Sequence, residues 1–344
     1  MNAHDSQAPT TRDDASVLIV IPVFNGERTL DACLRACLTQ THTNIGVVVV
    51  DDGSTDGTAD IAAMQDVEYI RQDQSGPAAA RNRGARSAQS DYVAFTDADC
   101  IPEPDWIAQL LAAFADNVVA AGGTYANENA GSWLSRMIHE EIQVRHDRFS
   151  DDVDFLGSFN VMYRRDAFDA AGGFDELFRS ASGEDNDLAY RLQDAGGRLA
   201  FTPRAIVSHH HPTHLAKYLR TQTRHGYWRM KLYQKHPNRS RGDRYAGLRD
   251  LAAVGLPVLC AVHVAALATT WPIDGVTGVL GIALLAYGPA FAVVHGDLAI
   301  RMAARSRNAG MAAFWLVMVL RDFARAAGLV AGIWRFRVIG EATA

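Results

Sequence analysis

Two short, almost continuous apolar runs near the start of the chain limit its fold more than any other sequence feature. The segments VLIVIPVF (17–24) and IGVVVVDD (45–52) are rich in β-branched residues and end in turn-forming residues. Runs of this kind are typical of strands that are buried on both faces, and such strands occur mainly in parallel sheets. We therefore expect an α/β protein built around a mainly parallel central sheet.

Further strands and helices are predicted to alternate as far as residue 208. Asn25 is expected to cap a helix that runs to about Leu38. The alternation predicts βαβ units, in which ligands bind beyond the carboxyl ends of the strands. The other predicted helices cover about 77–89, 104–115 and 184–195, and the other predicted strands about 67–71, 91–96, 118–122, 159–163 and 198–208.

The charge of the chain is distributed unevenly. The formal net charge is −6, but residues 1–206 hold 33 acidic and 16 basic residues, whereas 207–344 hold 6 and 17. Residues 217–249 contain ten Lys or Arg and one acid, Asp243. This asymmetry indicates two regions with different surroundings. The four cysteines are too few for a disulfide framework and fit a reducing compartment.

Two long apolar segments follow the basic region. Residues 251–271 and 276–296 are each 21 residues long and carry no formal charge. As helices they would each extend about 31 Å, close to the bilayer core of about 30 Å. Two transmembrane helices are therefore predicted, and two buried core helices are the alternative. Arginines flank both segments, which predicts a multi-pass protein of the cytoplasmic membrane with the preceding domain in the cytoplasm.

The last apolar segment, about 313–334, has a different character. Arg321, Asp322 and Arg325 lie near its middle, and each is costly at the centre of a bilayer. We expect an interfacial or re-entrant helix there, with a third span as the alternative. The predicted organisation is a disordered tail without a secretory signal at 1–15, an α/β domain at 16–212, basic interfacial helices at 213–250 and a helical transmembrane region at 251–344.

Carboxylates follow two of the predicted strands and are the main candidates for chemistry. Asp51 and Asp52 end the second strand, and Asp97 and Asp99 follow the strand at 91–96. One or two carboxylates can hold Mg²⁺ or Mn²⁺ when substrate phosphates complete the coordination. An isolated Asp-x-Asp is more often a solvated turn, and its position after a buried strand is what favours a metal site. The sequence contains no Walker-type or dinucleotide-type glycine loop.

Six motifs occur in a characteristic order between about residues 17 and 192. They are VLIVIPVFNGERTL, VVVDDGSTDGT, GPAAARNRGA, FTDADC, GGFDE and SGEDNDLAYRL. With these motifs in this order, the sequence resembles a family 2 glycosyltransferase, one of the inverting enzymes with the GT-A fold that use nucleotide-diphospho sugars. The resemblance depends on the ordered set and not on any single motif.

The resemblance implies a donor site at the strand ends. Asp51 or Asp52 would contact the base or ribose, although either can instead cap the following turn. Arg81 would face the diphosphate, with a surface arginine as the alternative. The residues implied in nucleotide-sugar binding are Pro22, Val23, Asn25, Asp51, Asp52, Arg81, Asn82 and Asp97.

The resemblance also implies a metal site beside the donor. Asp99 would ligate a divalent cation directly, and Asp97 would contact the ribose or a metal-bound water. His209, within IVSHHHP, would be a further metal or diphosphate contact, although a histidine-rich run can equally be a solvated loop. Cys100 is expected to be a small buried residue, with a soft metal ligand as the alternative.

Catalytic and acceptor-side roles are implied for the region from residue 157 to residue 185. Asp185 would be the general base that takes a proton from the acceptor hydroxyl, and Glu184 would be an auxiliary or acceptor contact. Acids at the start of a helix also suit the helix dipole, which is the structural alternative. Gly157 and Asn160 would approach the sugar or the acceptor.

The sequence therefore predicts a metal-dependent inverting glycosyltransferase. Its expected partners are a nucleotide-diphospho sugar, membrane lipids and a membrane-proximal acceptor, either a lipid-linked saccharide or a polysaccharide of the cell envelope; no nucleic-acid partner is expected. The expected cofactor is Mn²⁺ or Mg²⁺. The alternative is a non-catalytic, nucleotide-sugar-binding membrane scaffold, which a broken Asp-x-Asp or Glu-Asp motif would indicate. Both motifs are intact.

Overall fold

The structure, a computed structural model, describes residues 14–115, 117–149, 152–180, 182–239, 248–270 and 276–338. The chain divides into two compact units. The first contains the residues up to Glu128 and Phe149–His210, and the second contains Asn129–Arg148 and the residues from His211 onward. Residues 1–13 of the predicted tail lie outside the described residues.

The first unit is built around an eight-stranded mixed sheet. The strands are β1 (Val17–Val23), β2 (Ile45–Asp51), β3 (Glu68–Arg71), β4 (Tyr92–Thr96), β5 (Cys100–Pro102), β6 (Val118–Asn127), β7 (Asn160–Arg164) and β8 (Arg198–His209). Their spatial order is β3-β2-β1-β4-β7-β6-β8-β5, and the first four of these strands are parallel, whereas β7 is antiparallel to both of its neighbours. The α/β prediction is confirmed.

Helices cover both faces of this sheet, as the continuous apolar runs predicted. Along β1, Ile19 and Ile21 enter one hydrophobic core, whereas Leu18 and Val20 enter a second core. All four side chains are at most 4% exposed. The helices of this unit are α1 (Leu30–Leu38), α2 (Thr58–Ala63), α3 (Pro77–Ala85), α4 (Trp106–Ala112), α6 (Arg165–Ala170) and α7 (Glu184–Asp194).

The first helix begins later than predicted, because Asn25 has a different role. The backbone of Asn25 has φ +54°, a conformation that asparagine tolerates better than most residues. Its N–H donates to Ser54 Oγ at 2.8 Å, and its Oδ1 accepts from the N–H of Thr55 at 2.9 Å. Asn25 therefore joins the loop after β1 to the loop after β2 and does not cap α1.

The second unit is helical. A Cβ atom at Gly226 would lie 2.0 Å from the carbonyl oxygen of Arg325, and one at Gly328 would lie 1.9 Å from that of Thr223. The backbones of α8 and α11 are thus so close that these two positions require glycine. The helices of this unit are α5 (Trp133–His146), α8 (Leu215–Lys235), α9 (Leu248–Thr270), α10 (Val276–Ser306) and α11 (Phe314–Ile333).

The two predicted transmembrane spans coincide with α9 and the first part of α10. In the part of the chain that the structure describes, no helix combines the length and the apolar character needed to cross a bilayer. The prediction of a transmembrane region is therefore not supported. α10 continues beyond residue 296 through the charged residues Asp297, Arg301 and Arg305. The predicted connection at 271–275 lies outside the described residues.

α11 buries the charged residues that the sequence marks as costly in a bilayer. Arg321 and Asp322 are 2% and 1% exposed. Arg321 Nη1 donates to Glu141 of α5 at 2.6 Å, and Asp322 Oδ2 lies 2.5 Å from His295 Nε2 of α10. These partners from other helices of the unit offset much of the cost of burying the charges.

The buried pair of Glu141 and Arg321 is expected to make the second unit sensitive to acid. Burial by itself would raise the pKa of Glu141, but Arg321 and Arg145 outweigh it and lower this pKa to about 2 from an ordinary value of 4.5. The stabilisation is therefore complete above pH 4.5 and is lost as the pH falls towards 2. The free energy of unfolding should fall by up to about 1.4 kcal/mol per pH unit in this window, measured by urea titrations followed by circular dichroism.

A matched pair of variants tests this assignment. Glu141→Gln should flatten the acid limb of the stability profile, because it removes the titrating group. Glu140→Gln changes the neighbouring acid, which is only partly buried. This variant should show the same fall in stability at acid pH as the wild type. An acid limb of wild-type steepness in Glu141→Gln would contradict the assignment.

Candidate active site

The carboxyl ends of β1, β2 and β4 meet at one edge of the sheet, because the three strands are parallel neighbours. Three polar loops therefore converge there: Asn25 follows β1, Asp52 follows β2, and Asp97 and Asp99 follow β4. Open α/β sheets bind ligands at this edge. The structure thus brings together the strand-end residues that the sequence singled out.

Arg81 of α3 links two parts of the candidate site. Its side chain is buried, its Nη2 donates to Asp97 Oδ1 at 2.7 Å, and its Nη1 donates to Glu184 Oε1 at 3.0 Å. Burial opposes the charge of Arg81, but Asp97 and Glu184 outweigh it and raise its pKa. Arg81 is therefore not a surface arginine. It is a permanent cation that holds the loop after β4 to the start of α7.

The two acids at the start of α7 have different surroundings. Glu184 is 1% exposed, and it also accepts the N–H of Ser182 at 2.7 Å. Burial, and then the neighbouring Asp185, raise the pKa of Glu184 to about 7, although Arg81 opposes this rise. Asp185 is half-buried, and its Oδ1 accepts the N–H of Asn186 at 2.8 Å. Of the two acids, Asp185 is the one that is accessible from solvent, and Glu184 positions Arg81.

A group of candidate metal ligands lies beside the loop after β4. Asp99, Cys100 and His209 each offer one ligand atom, and these atoms lie within 4.8 Å of one another. The group forms because β5 pairs antiparallel with β8, which places Cys100 opposite His209. Asp99 Oδ2 lies 3.8 Å from His209 Nε2. Asp97, which the resemblance also placed near the metal, is outside this group and binds Arg81.

The donor atoms of this group fit a divalent cation such as Mn²⁺. Burial raises the pKa of Asp99 more than His209 lowers it, so a nearby cation would favour the ionised carboxylate. Carboxylate oxygen and imidazole nitrogen both suit Mn²⁺. Burial raises the pKa of the Cys100 thiol well above its ordinary value, which disfavours the thiolate that a metal needs. Asp99 and His209 are therefore the residues that fit a metal.

Asp51 is held by its own loop and by β3. It is fully buried, and its carboxylate accepts the N–H of Ser54 at 2.7 Å, the hydroxyl of Tyr69 at 2.6 Å and a guanidinium N–H of Arg71 at 3.2 Å. Burial opposes ionisation of Asp51, but the hydrogen bonds from Tyr69 and Ser54 lower its pKa overall. The structure thus gives Asp51 the turn-capping contact with Ser54 that the sequence offered as its alternative.

Asp52 stabilises the loop that leads to α3 through hydrogen bonds. It is 6% exposed and accepts the side-chain amide of Gln72 at 2.7 Å and the N–H groups of Ser75 at 2.8 Å and Gly76 at 2.9 Å. Gly76 has φ +97° and precedes the first residue of α3, Pro77. Asp52 therefore fixes the start of the helix that carries Arg81. Pro22 and Val23, at the end of β1, are buried.

Asn82 and Asn160 are both hydrogen-bonded to other parts of the first unit. Asn82 donates to the carbonyl of Phe174 and accepts its N–H, both at 2.8 Å, which fixes the turn before α7. Asn160 is 1% exposed; it donates to the carbonyls of Thr124 and Ala205 at 2.9 and 3.0 Å and accepts from Trp106 Nε1 at 2.8 Å. Asn160 therefore bridges neighbouring strands, and the acceptor contact expected of it stays a prediction.

Gly157 provides space for an aromatic ring. A Cβ atom there would lie 2.4 Å from the ring of Phe159. That ring stacks on Tyr125 with its centroid 3.9 Å away, and His209 adjoins the pair at 5.7 Å from Tyr125. Sequence reasoning missed the pairing of Phe159 with Tyr125, because the two rings come from separate segments of the chain.

Comparison with known proteins identifies similar chains. The sequence model of glycosyl transferase family 2 matches residues 18–172. A pre-mycofactocin glycosyltransferase of Mycobacterium tuberculosis is 33% identical over 254 residues, which cover 67% of this chain and 50% of the relative. Glycosyltransferase AglE of Haloferax volcanii is 30% identical over 211 residues, which cover 56% of this chain and 66% of the relative. The chain thus spans about half the length of the M. tuberculosis relative.

A solved structure shares the fold. The mannosyltransferase PcManGT from Pyrobaculum calidifontis, in complex with GDP-Man and Mn²⁺, gives a TM-score of 0.59 at 20% sequence identity. The match covers 90% of this chain and 87% of that one. The mixed α/β sheet is therefore GT-A-like.

Proposed function

Because this chain belongs to glycosyl transferase family 2 through its residues 18–172, we propose that it is a metal-dependent inverting glycosyltransferase. The donor is a nucleotide-diphospho sugar, and Asp185 is the general base. The main support is the contact of Arg81 with Asp97 and Glu184. This contact fixes the position of the loop after β4, which carries the proposed metal ligand Asp99, relative to the start of α7, which carries Asp185.

The proposed reaction forms one bond at the anomeric carbon of the donor sugar and breaks another. The acceptor O–H gives its proton to the carboxylate of Asp185, while the acceptor oxygen bonds to the anomeric carbon of the donor sugar. The bond from that carbon to the diphosphate oxygen breaks, and the nucleoside diphosphate leaves on the opposite face. Inversion follows, because attack and departure occur on opposite faces. Glu184 and Arg81 act indirectly, because they hold the backbone on which Asp185 lies.

The proposed cofactor is a divalent cation held by Asp99 and His209. When bound, it would neutralise the negative charge that grows on the departing diphosphate. The Mn²⁺ in the solved mannosyltransferase structure supports this choice of ion. Arg81 already contacts two acidic side chains of the protein, Asp97 and Glu184, which supports a separate cation as the partner of the diphosphate.

The proposed acceptor is a saccharide, either a polysaccharide or a saccharide linked to a lipid at the cytoplasmic face of the cytoplasmic membrane. The excess of basic over acidic residues after residue 206 supports a position beside anionic lipids. The name of the M. tuberculosis relative specifies pre-mycofactocin, which makes that compound the competing acceptor to include in an assay.

A donor screen tests the proposal directly. The purified chain with Mn²⁺ would be incubated with a panel of nucleotide sugars, and binding would be read by thermal shift and turnover by release of nucleoside diphosphate. We expect at least one donor to raise the melting temperature and to be turned over, with faster release when acceptor is present. Donor binding without turnover of any donor would instead favour a non-catalytic nucleotide-sugar-binding protein.

Loss of metal binding is the expected result of changing either proposed ligand. Asp99→Asn and His209→Ala should each weaken Mn²⁺ binding more than about tenfold, since ligand substitutions cost at least as much as changes in the outer shell. Calorimetric titration with Mn²⁺ measures this without any substrate. His214→Ala is the control, because His214 is exposed and lies outside the group of candidate ligands. Unchanged affinity in both ligand variants would place the metal elsewhere.

A further inference from the structure

One face of α11 is apolar and exposed along the whole helix. Its residues follow the three- and four-residue spacing of a single helix face. The face extends for roughly 27 Å at 1.5 Å per residue, and continuous apolar surfaces of this kind mark sites of interaction with proteins or membranes. The residues of this apolar stripe are Leu316, Leu320, Phe323, Ala327, Val330 and Trp334, of which the five large side chains are between 39% and 61% exposed.

The opposite face of α11 fixes the orientation of the stripe. Phe314, Met318 and Arg321 are at most 2% exposed, and Arg321 pairs with Glu141. Gly328 is in backbone contact with α8. Rotation of α11 to bury the stripe would expose these apolar side chains and break the buried ion pair, so the stripe is held outward.

Basic residues lie at both ends of the stripe. Arg307 precedes α11, Arg335 and Arg337 follow it, and all three are exposed. Phe336, between the last two arginines, packs on Trp228 of α8 with ring centroids 6.1 Å apart.

A cation of α8 also borders the carboxyl-terminal end of the stripe. Within the described part of the chain, no acidic side chain lies on the exposed face of α11. Lys231 lies over the ring of Trp228, with Nζ 5.6 Å from the centroid. The single acid in the sequence of α11, Asp322, is buried. The surface therefore combines an apolar row, aromatic rings and cations.

We propose that the apolar stripe and its flanking arginines form a docking surface for an anionic phospholipid bilayer, on which α11 lies parallel to the membrane plane. The apolar side chains enter the boundary between headgroups and acyl chains, and Trp334 lies at headgroup level. Arg307, Arg335 and Arg337 contact the phosphates of anionic lipids. Charge complementarity selects lipid over a second protein, since the stripe has cations at both ends and, among the residues that the structure describes, no exposed acid. This binding is independent of glycosyl transfer.

Vesicle flotation with the full chain tests the docking surface. Wild-type protein should float with vesicles of phosphatidylcholine and phosphatidylglycerol, bind vesicles of phosphatidylcholine alone more weakly, and lose much of the difference at high salt. The double variant Leu320→Ser with Phe323→Ser should bind at least about tenfold more weakly, because two exposed apolar anchors are removed. Met64→Ser removes a side chain of the first unit that is 72% exposed and should bind like the wild type.

A second variant keeps the test independent of the apolar substitutions. Arg335→Gln with Arg337→Gln alters only exposed side chains, and binding to anionic vesicles should weaken about fivefold for each arginine, with little change on neutral vesicles. Circular dichroism checks that each variant is folded. Wild-type affinity in both double variants, or equal wild-type binding to neutral and anionic vesicles, would overturn the proposal. A third result would also overturn it: the wild-type protein is a dimer that binds no vesicles, and the double variant Leu320→Ser with Phe323→Ser is a monomer. A second copy of the chain would then cover the stripe.

Discussion

Asp185→Asn is expected to lower kcat by about 10²- to 10⁴-fold, the range usually lost with a general base, while donor affinity stays near that of the wild type. The substitution keeps the size of the side chain, and the amide oxygen of asparagine can still accept the N–H of Asn186. It removes the carboxylate that would take the acceptor proton. Steady-state release of nucleoside diphosphate gives kcat, and calorimetric titration gives the donor affinity.

A second acid on the same helix supplies the control. Asp194 lies at the other end of α7 and is exposed, so Asp194→Asn changes the helix charge equally and should leave kcat near the wild-type value. If both variants lost activity to the same extent, the loss would come from the charge of the helix and not from a base. Wild-type turnover in Asp185→Asn would remove Asp185 from the mechanism.

Arg81→Met is expected to destabilise the first unit by about 3–5 kcal/mol, the usual result when one member of a buried ion pair is removed. Methionine fills part of the space of the arginine but leaves Glu184, whose side chain is 2% exposed, without its cation. Asp97 loses the same partner at 2.7 Å. Urea unfolding followed by tryptophan fluorescence measures the loss, because Trp106 is buried in this unit.

Two further variants separate the ion pair from general effects on α3. Arg83 lies on the same helix and is exposed, so Arg83→Met should change stability by no more than about 0.5 kcal/mol. Addition of Glu184→Gln to Arg81→Met should restore part of the lost stability, because the uncompensated carboxylate is then absent. Strictly additive losses in the double variant would mean that Arg81 and Glu184 do not interact.

The strands of the sheet were predictable because their signals are local. β1 and β2 are continuous apolar runs, and the sequence placed both within one residue of their observed ends. The short strand β5 was missed, since three residues, Cys100–Pro102, are too few to show a period. This omission mattered, because the pairing of β5 with β8 brings His209 to Asp99.

The candidate site was predictable in its composition but not in its contacts. The acids at the ends of β2 and β4 were located correctly, because a strand end is marked by the residues around it. Their partners lie far along the chain: Glu184 is 103 residues from Arg81, and Trp106 is 54 residues from Asn160. Contacts across such distances leave no periodic pattern in the sequence.

The sequence by itself determined the two-faced sheet, the family and the positions of the acidic motifs, because all of these depend on residue type and order along short segments. Tertiary structure decided which charges are paired and which are exposed. It separated buried Glu184 from accessible Asp185, and it joined Arg321 to Glu141 across 180 residues. It also decided the surroundings of the carboxyl-terminal helices, because an apolar run has the same composition whether it packs against protein or against lipid. Only the folded arrangement shows which face of α11 is covered and which remains exposed.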